Sequence, residues 1–328
     1  MPGIFQQEIQ TLCGTRISVV QFQPTSRPIE DRFSISSSSD ESRLLLGVYD
    51  GHGGPRTADH ISRILPEALL AARPNDNVRI FEEQDQRLLQ NFEAQHPFIT
   101  SLLGQKSSAN QSARLLRSGC TALVLDVDLK NRMVHFANAG DCRAIVFDKA
   151  AGNHQETVDL NAKTSLEQAR LNEEHPGEDD VIVGGRLFGK LMSTRGFGDG
   201  YYKLPRGFNG WKHRHYVNIL SALDVDSGKV PLSAQYDSYF YGYRSPPYIT
   251  ATPDVGVFEF DTDKLLVCGS DGVFDLASSE EVVAILRSGL DHNADNLALY
   301  LLNMIMSSRS PGDDVTILVL QHLPLANP

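Results

Sequence analysis

Short apolar and β-branched runs recur along this chain, and several of them end or begin on an acid. Val48-Tyr49-Asp50-Gly51-His52-Gly53-Gly54 is the clearest case, and Leu266-Val267-Cys268-Gly269-Ser270-Asp271-Gly272 repeats the arrangement. Phe136-Ala137-Asn138-Ala139-Gly140-Asp141 ends a third run, Gly312-Asp313-Asp314-Val315-Thr316 opens a fourth, and Glu30-Asp31 precedes a strand-like stretch over 32–35. An acid at a strand end is held by a rigid element, while neighbouring glycines let the backbone approach a ligand closely. Any one Asp-Gly pair is also an ordinary turn. The recurrence across distant segments predicts that hard oxygen donors converge, a set that suits Mg²⁺ or Mn²⁺ and excludes a structural thiolate zinc site. Two such ions about 3.5–4 Å apart would share a water, lower its pKa and clamp the oxygens of an in-line displacement.

The runs read as strands over 16–22, 44–49, 122–127, 133–138, 144–147, 255–260, 264–269 and 315–321. Helical patterns fall at 57–72, 165–174, 279–288 and 293–307, the third opening on Ser278-Ser279-Glu280-Glu281, a favourable helix start. Strands in runs and helices in pairs predict a layered α+β fold with two sheets face to face, rather than a doubly wound parallel sheet. A single domain over 1–328 is expected, its core about 17–321. Two inserts interrupt it. The stretch 75–117 is polar and Gln-rich, and 204–248 is irregular, Gly-rich and crowded with aromatics, among them Tyr236, Tyr239, Phe240, Tyr241 and Tyr243. Long loops of this kind are lids or disordered inserts. The second is expected to pack beside the active cleft, the alternative being a solvent-exposed insertion.

Composition narrows the function. A net charge of −11 argues against nucleic acid, which is gripped by clustered Lys and Arg. No apolar run is long enough for a membrane span, so no membrane partner is expected. Cys13, Cys120, Cys142 and Cys268 have neither zinc-type nor redox-pair spacing and read as reduced thiols, mostly in the core. The first twenty residues carry neither a secretory apolar block nor an Arg-rich leader, so the cytosol is the expected compartment.

In order along the chain stand Glu30-Asp31, Asp50-Gly51-His52-Gly53-Gly54, Ser118-Gly119-Cys120-Thr121-Ala122, Asn138-Ala139-Gly140-Asp141-Cys142-Arg143, Ser193-Thr194-Arg195-Gly196-Phe197-Gly198-Asp199, Ser270-Asp271-Gly272-Val273-Phe274-Asp275 and Asp313-Asp314-Val315-Thr316. This series resembles the motifs of the metal-dependent (type 2C) protein phosphatases, over roughly 17–321. Pro28-Ile29-Glu30-Asp31-Arg32, Glu173-Glu174-His175-Pro176, Arg186 to Met192 and Ser245-Pro246-Pro247-Tyr248 look closest to the pyruvate dehydrogenase phosphatase branch. The resemblance implies a four-layer αββα fold, a central antiparallel β-sandwich flanked by helix pairs, with a binuclear metal centre at one end. It implies a monomeric enzyme that hydrolyses phosphoserine and phosphothreonine in proteins, and it makes the mitochondrial matrix a second candidate compartment.

Carried over residue by residue, the resemblance makes Asp50 the ligand bridging two Mg²⁺ or Mn²⁺ ions, joined by the Gly51 carbonyl. Glu30 would sit on one ion, Asp271 and Asp313 on the other, and Asp141, with Asp271 and Asp275, near a weaker third. Asp31 and Asp199 would stand behind these ligands, orienting them and their waters. His52 resembles the general acid that protonates the departing Ser or Thr oxygen, which its intrinsic pKa allows near neutrality.

The chain departs from the family at Ser26, where many members carry a phosphate-binding Arg; Arg27 stands one residue nearer and is the candidate here, with a salt-bridging or solvent-exposed role as the alternative. Asp159-Leu160 replaces a common Asp-His, and Asp314 a common Asn. Two other functions stay open at this point: hydrolysis of a phosphorylated small metabolite, for which the aromatic stretch 236–248 would line an apolar pocket, and a catalytically silent regulatory platform.

Overall fold

The computed structural model describes residues 3–99, 110–221, 223 and 242–323. The first half contains strands β1 (Gly3–Leu12), β2 (Thr15–Gln23), β3 (Arg32–Ser37), β4 (Arg43–Tyr49), β5 (Gly51–His52), β6 (Gly119–Cys120), β7 (Ala122–Asp128), β8 (Met133–Ala139), β9 (Arg143–Asp148) and β10 (His154–Glu156). The second contains β11 (Ile182–Val183), β12 (Arg186–Leu187), β13 (Phe197–Gly198), β14 (Asp254–Glu259), β15 (Lys264–Gly269) and β16 (Val315–His322). Helices are α1 (Arg56–Leu70), α2 (Asn77–Gln95), α3 (Gln111–Arg117), α4 (Ser165–Glu174), α5 (Gly200–Lys203), α6 (Trp211–Ser221), α7 (Asp271–Phe274), α8 (Ser279–Asp291) and α9 (Leu297–Met306).

A six-stranded sheet runs β1-β2-β16-β15-β9-β10 and a five-stranded sheet β14-β8-β7-β4-β3, every pair antiparallel. Alternation along each strand explains why they face each other. In β4, Leu44, Leu46 and Val48 enter the core between the sheets, whereas Leu45 and Tyr49 point to the helices outside. In β15, Leu266 and Cys268 point inward, while Leu265 and Val267 meet α8 and α9. Successive residues of a strand face opposite ways, so a strand apolar on both faces must be covered on both. Each fully buried Leu or Val contributes about 1.5–3 kcal/mol, which sets the scale of that preference. Helix α1 lies on β3 and β4 with α2 beside it, and α9 lies on β2 and β16 with α8 beside it, giving the αββα order.

The expected strands appear within a residue or two of their bounds, and helix α4 spans the stretch expected of it. Helix α8 begins on a capping box: Ser278 Oγ accepts the Glu281 amide at 3.3 Å, and Ser278 N–H donates to Glu281 Oε2 at 3.0 Å. Helix α9 starts later than its pattern, capped by Asn296, whose Oδ1 accepts the Leu299 amide at 2.9 Å.

The inserts differ from expectation. Residues read as a loop at 75–117 contain α2, which buries Ile80, Phe81, Gln84, Asp85, Leu88 and Phe92 at helical spacing. Two polar members of that face, Gln84 and Asp85, hide the period in the sequence. The irregular stretch at 204–248 contains α6. Tyr236, Tyr239, Phe240 and Tyr241 lie outside the described residues. Tyr243 and Tyr248 are in the core at 2% and 0% exposure, the Tyr243 hydroxyl donating to the Leu204 carbonyl at 2.5 Å, so they line no open pocket. Strand β1 was absent from the sequence pattern because it is an edge strand, partly or fully exposed along its length.

Cys120, Cys142 and Cys268 are buried free thiols, and Cys13 is half-exposed in the β1–β2 turn. Among the described residues no helix is long and apolar enough to cross a membrane.

Candidate active site

Strand registers place the acids at one end of the sandwich. Arg32 pairs with Tyr49, so Glu30-Asp31 and Asp50 flank the same end of β3 and β4. Gly269 pairs with both Arg143 and Ile317, which brings Asp271, Asp141 and Asp313-Asp314 to the matching end of the other sheet. At this end the carboxyls act on one another. Asp50 is raised well above the usual carboxylate range, by burial first and then by Asp271, Asp31 and Asp141, and its carboxyl is hydrogen-bonded to that of Asp271. Asp271 is pushed up to about 8 by burial and then by the charges of Asp141, Asp31 and Asp313. Asp31 is pushed up to about 7 by burial and by Asp314, although Ser270 and Thr316 donate to it, the latter at 2.9 Å. Asp141 is raised by burial against a hydrogen bond from Asn161 Nδ2 at 3.0 Å.

Glu30 reaches the site through its backbone and its charge. Its amide donates to Asp314 Oδ2 at 2.7 Å, and its charge is felt by His52. A Cβ on Gly51 would collide with the Glu30 carbonyl, so only glycine allows these two segments to touch. Asp314, which stands where the family commonly has Asn, is buried and ties the Glu30 segment to β16, while Asp313 beside it is exposed. Asp275 donates its amide to the Asp271 carbonyl at 2.8 Å, and its charge acts on Arg143. Arg27 is exposed in a turn, its amide donating to Thr25 Oγ1 at 3.1 Å. Among the described residues no three His, Cys, Asp or Glu side chains form a ready-made metal cage.

A small sheet, β13-β6-β5, builds the other half of the site. Gly119 pairs with His52 on one side and with Gly198 on the other. His52 Nε2 consequently meets both carboxylate oxygens of Asp199, at 2.8 and 2.9 Å. A side chain on Gly119 would occupy the space of that carboxylate and imidazole. Burial works against the charged His52, and Asp199, Glu30 and Asp141 outweigh it, so its pKa is raised. Asp199 thus serves the histidine directly. The sequence placed it behind the metal ligands; two-residue strands carry no period from which their pairing could be seen.

The segment carrying Asp199 is anchored by buried ion pairs that the sequence did not single out. Asp85 of α2 accepts the Gly198 amide at 3.0 Å and Lys203 Nζ at 2.7 Å. Glu167 of α4 accepts Arg195 Nη2 at 2.7 Å, Arg170 Nη2 at 2.8 Å and Thr194 Oγ1 at 2.8 Å. At the Asp159-Leu160 departure, Asp159 makes a bidentate pair with Arg143, at 3.0 and 2.6 Å, and Leu160, standing where the family commonly has His, is buried.

The family model of protein phosphatase 2C matches residues 15–312. The chain belongs to the protein phosphatase 2C family. Members of this family are metal-dependent. Among its curated relatives are [pyruvate dehydrogenase [acetyl-transferring]]-phosphatase 2, mitochondrial, of Homo sapiens and [pyruvate dehydrogenase [acetyl-transferring]]-phosphatase 1, mitochondrial, of Saccharomyces cerevisiae. The first is 27% identical over 82% of this chain and the second 26% over 90%. The chain spans 61% of the first relative's length and 53% of the second's. Among solved structures, a phosphatase from a pathogenic strain of Toxoplasma gondii is similar in fold to this chain at a TM-score of 0.66 and 13% identity, covering 98% of this chain and 96% of that one.

Proposed function

We propose that this chain is a Mg²⁺- or Mn²⁺-dependent phosphatase that hydrolyses phosphoserine and phosphothreonine in proteins. The observation that carries the reading is the meeting of half-buried Asp50 and Asp271 with buried Asp141 and Asp31 at one end of the sandwich, next to the His52–Asp199 pair. The donor set fits divalent cations. Buried carboxyls that raise one another's pKa are costly as anions unless positive charge is brought among them. Asp50 would hold both ions with the Gly51 carbonyl, Glu30 one of them, and Asp271 and Asp313 the other; Asp141, with Asp271 and Asp275, is the candidate set for a third. Bound there, divalent ions supply Lewis acidity, making water a nucleophile near neutral pH and offsetting the charge of phosphoryl oxygens.

The chain's own residues do the rest. His52 holds the proton that the leaving Ser or Thr oxygen requires, and Asp199 fixes the ring and favours its imidazolium form. With Nε2 engaged, Nδ1 is the ring atom that hands the proton over. Asp31, Ser270, Thr316 and Asp314 orient the carboxylates around them. Arg27, exposed three residues before Glu30, is the candidate to grip phosphate from the solvent side.

The relatives named for pyruvate dehydrogenase make a phosphorylated dehydrogenase subunit the first substrate to test, with the mitochondrial matrix as the matching compartment. The cytosol is the alternative, and imaging a C-terminal fluorescent fusion separates them. The metabolite reading gains nothing from Tyr243 and Tyr248, which are packed in the core. The decisive experiment is Asp50→Ala. Purified with Mn²⁺, the variant should lose hydrolysis of both an aryl phosphate and a phosphopeptide; full activity would refute the proposal.

A further inference from the structure

Helices α1 and α3 bring together cations that are far apart in the chain. Thr57 Oγ1 donates to the Leu115 carbonyl at 2.7 Å and meets Ser118 Oγ at 2.7 Å, pinning the first turn of α1 to the end of α3. Between the helices lies a cavity of about 100 Å³ lined by Arg56, His60, Arg63 and Arg114. Its acidic member, Asp59, is bound from outside by Arg32 Nε at 2.5 Å. A narrower cleft sharing Arg56 and Arg114 continues from it to Gly53, Gly54, Arg117 and Ser118. The two form one basic track that ends on the glycines directly after His52. In a chain of net charge −11 such a local concentration of cations stands apart from the surrounding charge. Burial and the charge of Arg63 lower the pKa of His60, as expected inside a positive field.

We infer that this track is a substrate subsite for a second anionic side chain, a carboxylate or another phosphate, on the protein being dephosphorylated. The inference rests on the phosphatase reading and adds a substrate class to it. Planar guanidinium groups suit carboxylate and phosphate oxygens alike. From Arg56 to Arg63, α1 advances about 10 Å, the reach of roughly three residues of extended peptide. Peptides that place the anion two to four residues from the phosphorylated one therefore sample the length of the track.

The test compares phosphoserine peptides bearing Glu, phosphoserine or Gln at those positions, on either side of the scissile residue. Wild-type protein should favour one anionic register about tenfold in kcat/KM, through KM, the sum expected of two partly exposed charge contacts. Arg63→Gln/Arg114→Gln should bring the ratio near one, and Arg63→Lys/Arg114→Lys should restore part of it. Equal kcat/KM for anionic and Gln peptides in wild-type protein, or a ratio that survives the Gln substitutions, overturns the subsite. Thermal unfolding of each variant shows that it is folded. Aryl phosphate turnover by wild-type protein separately tests the phosphatase reading. If that turnover is absent, anisotropy of a labelled Glu-bearing phosphopeptide in chelator still decides the subsite: salt-sensitive binding weakened by the Gln pair supports it, and equal binding refutes it.

Discussion

Replacing Asp85 with alanine tests whether a buried ion pair behind Asp199 positions His52, the proposed general acid. The Lys203 side chain is 1% exposed and that of Asp85 is 9%. Lys203 Nζ has the Gly196 carbonyl at 2.6 Å as its other partner. Burial raises the pKa of Asp85 despite Lys203 and the Gly198 amide, so the pair is costly to desolvate and is held by mutual charge. Removing one partner leaves an ammonium in the interior, and the expected loss is about 3–5 kcal/mol. That is a large part of the roughly 5–15 kcal/mol by which a typical domain is stable. Urea unfolding followed by fluorescence should show a lower midpoint at an unchanged slope. Because Gly198 loses its acceptor and Asp199 follows it, kcat should also fall, by up to about a hundredfold for a displacement near 1 Å. Asp85→Leu/Lys203→Met removes both charges and should recover most of the stability. The reasoning fails if Asp85→Ala costs less than about 1 kcal/mol, or if the double substitution is as unstable as the single one.

Asp199→Asn should reduce kcat by about 10²–10³ with little change in KM, since it leaves His52 without its charged partner; a loss below threefold in steady-state assays would remove Asp199 from the proton-transfer role. Glu167 is held down to about 2 because Arg195 and Arg170 outweigh its burial. A depressed carboxyl stabilises the fold fully above its unfolded value near 4.5 and loses that contribution as pH falls toward 2, so Glu167→Gln should flatten acid unfolding across that window. The pH-dependent part amounts to roughly 3 kcal/mol, and identical pH profiles for the two proteins would show that the pair does not act this way.

The sandwich was legible because its strands repeat apolar residues on two faces, a local pattern that needs no knowledge of partners. The acids were legible for a related reason. Asp50, Asp271, Asp141 and Asp313 each border such a strand, so their positions at strand ends were readable from the same pattern. Helix α2 was obscured because Gln84 and Asp85 are polar residues on its buried face, satisfied by the fold rather than by the sequence around them. Only tertiary structure paired His52 with Asp199, 147 residues away, through strands two residues long. It alone set Asp85 against Lys203 and gathered Arg56, Arg63 and Arg114 into one track. Contacts of this sort depend on where separate elements are placed, and periodicity within a single element carries no record of that.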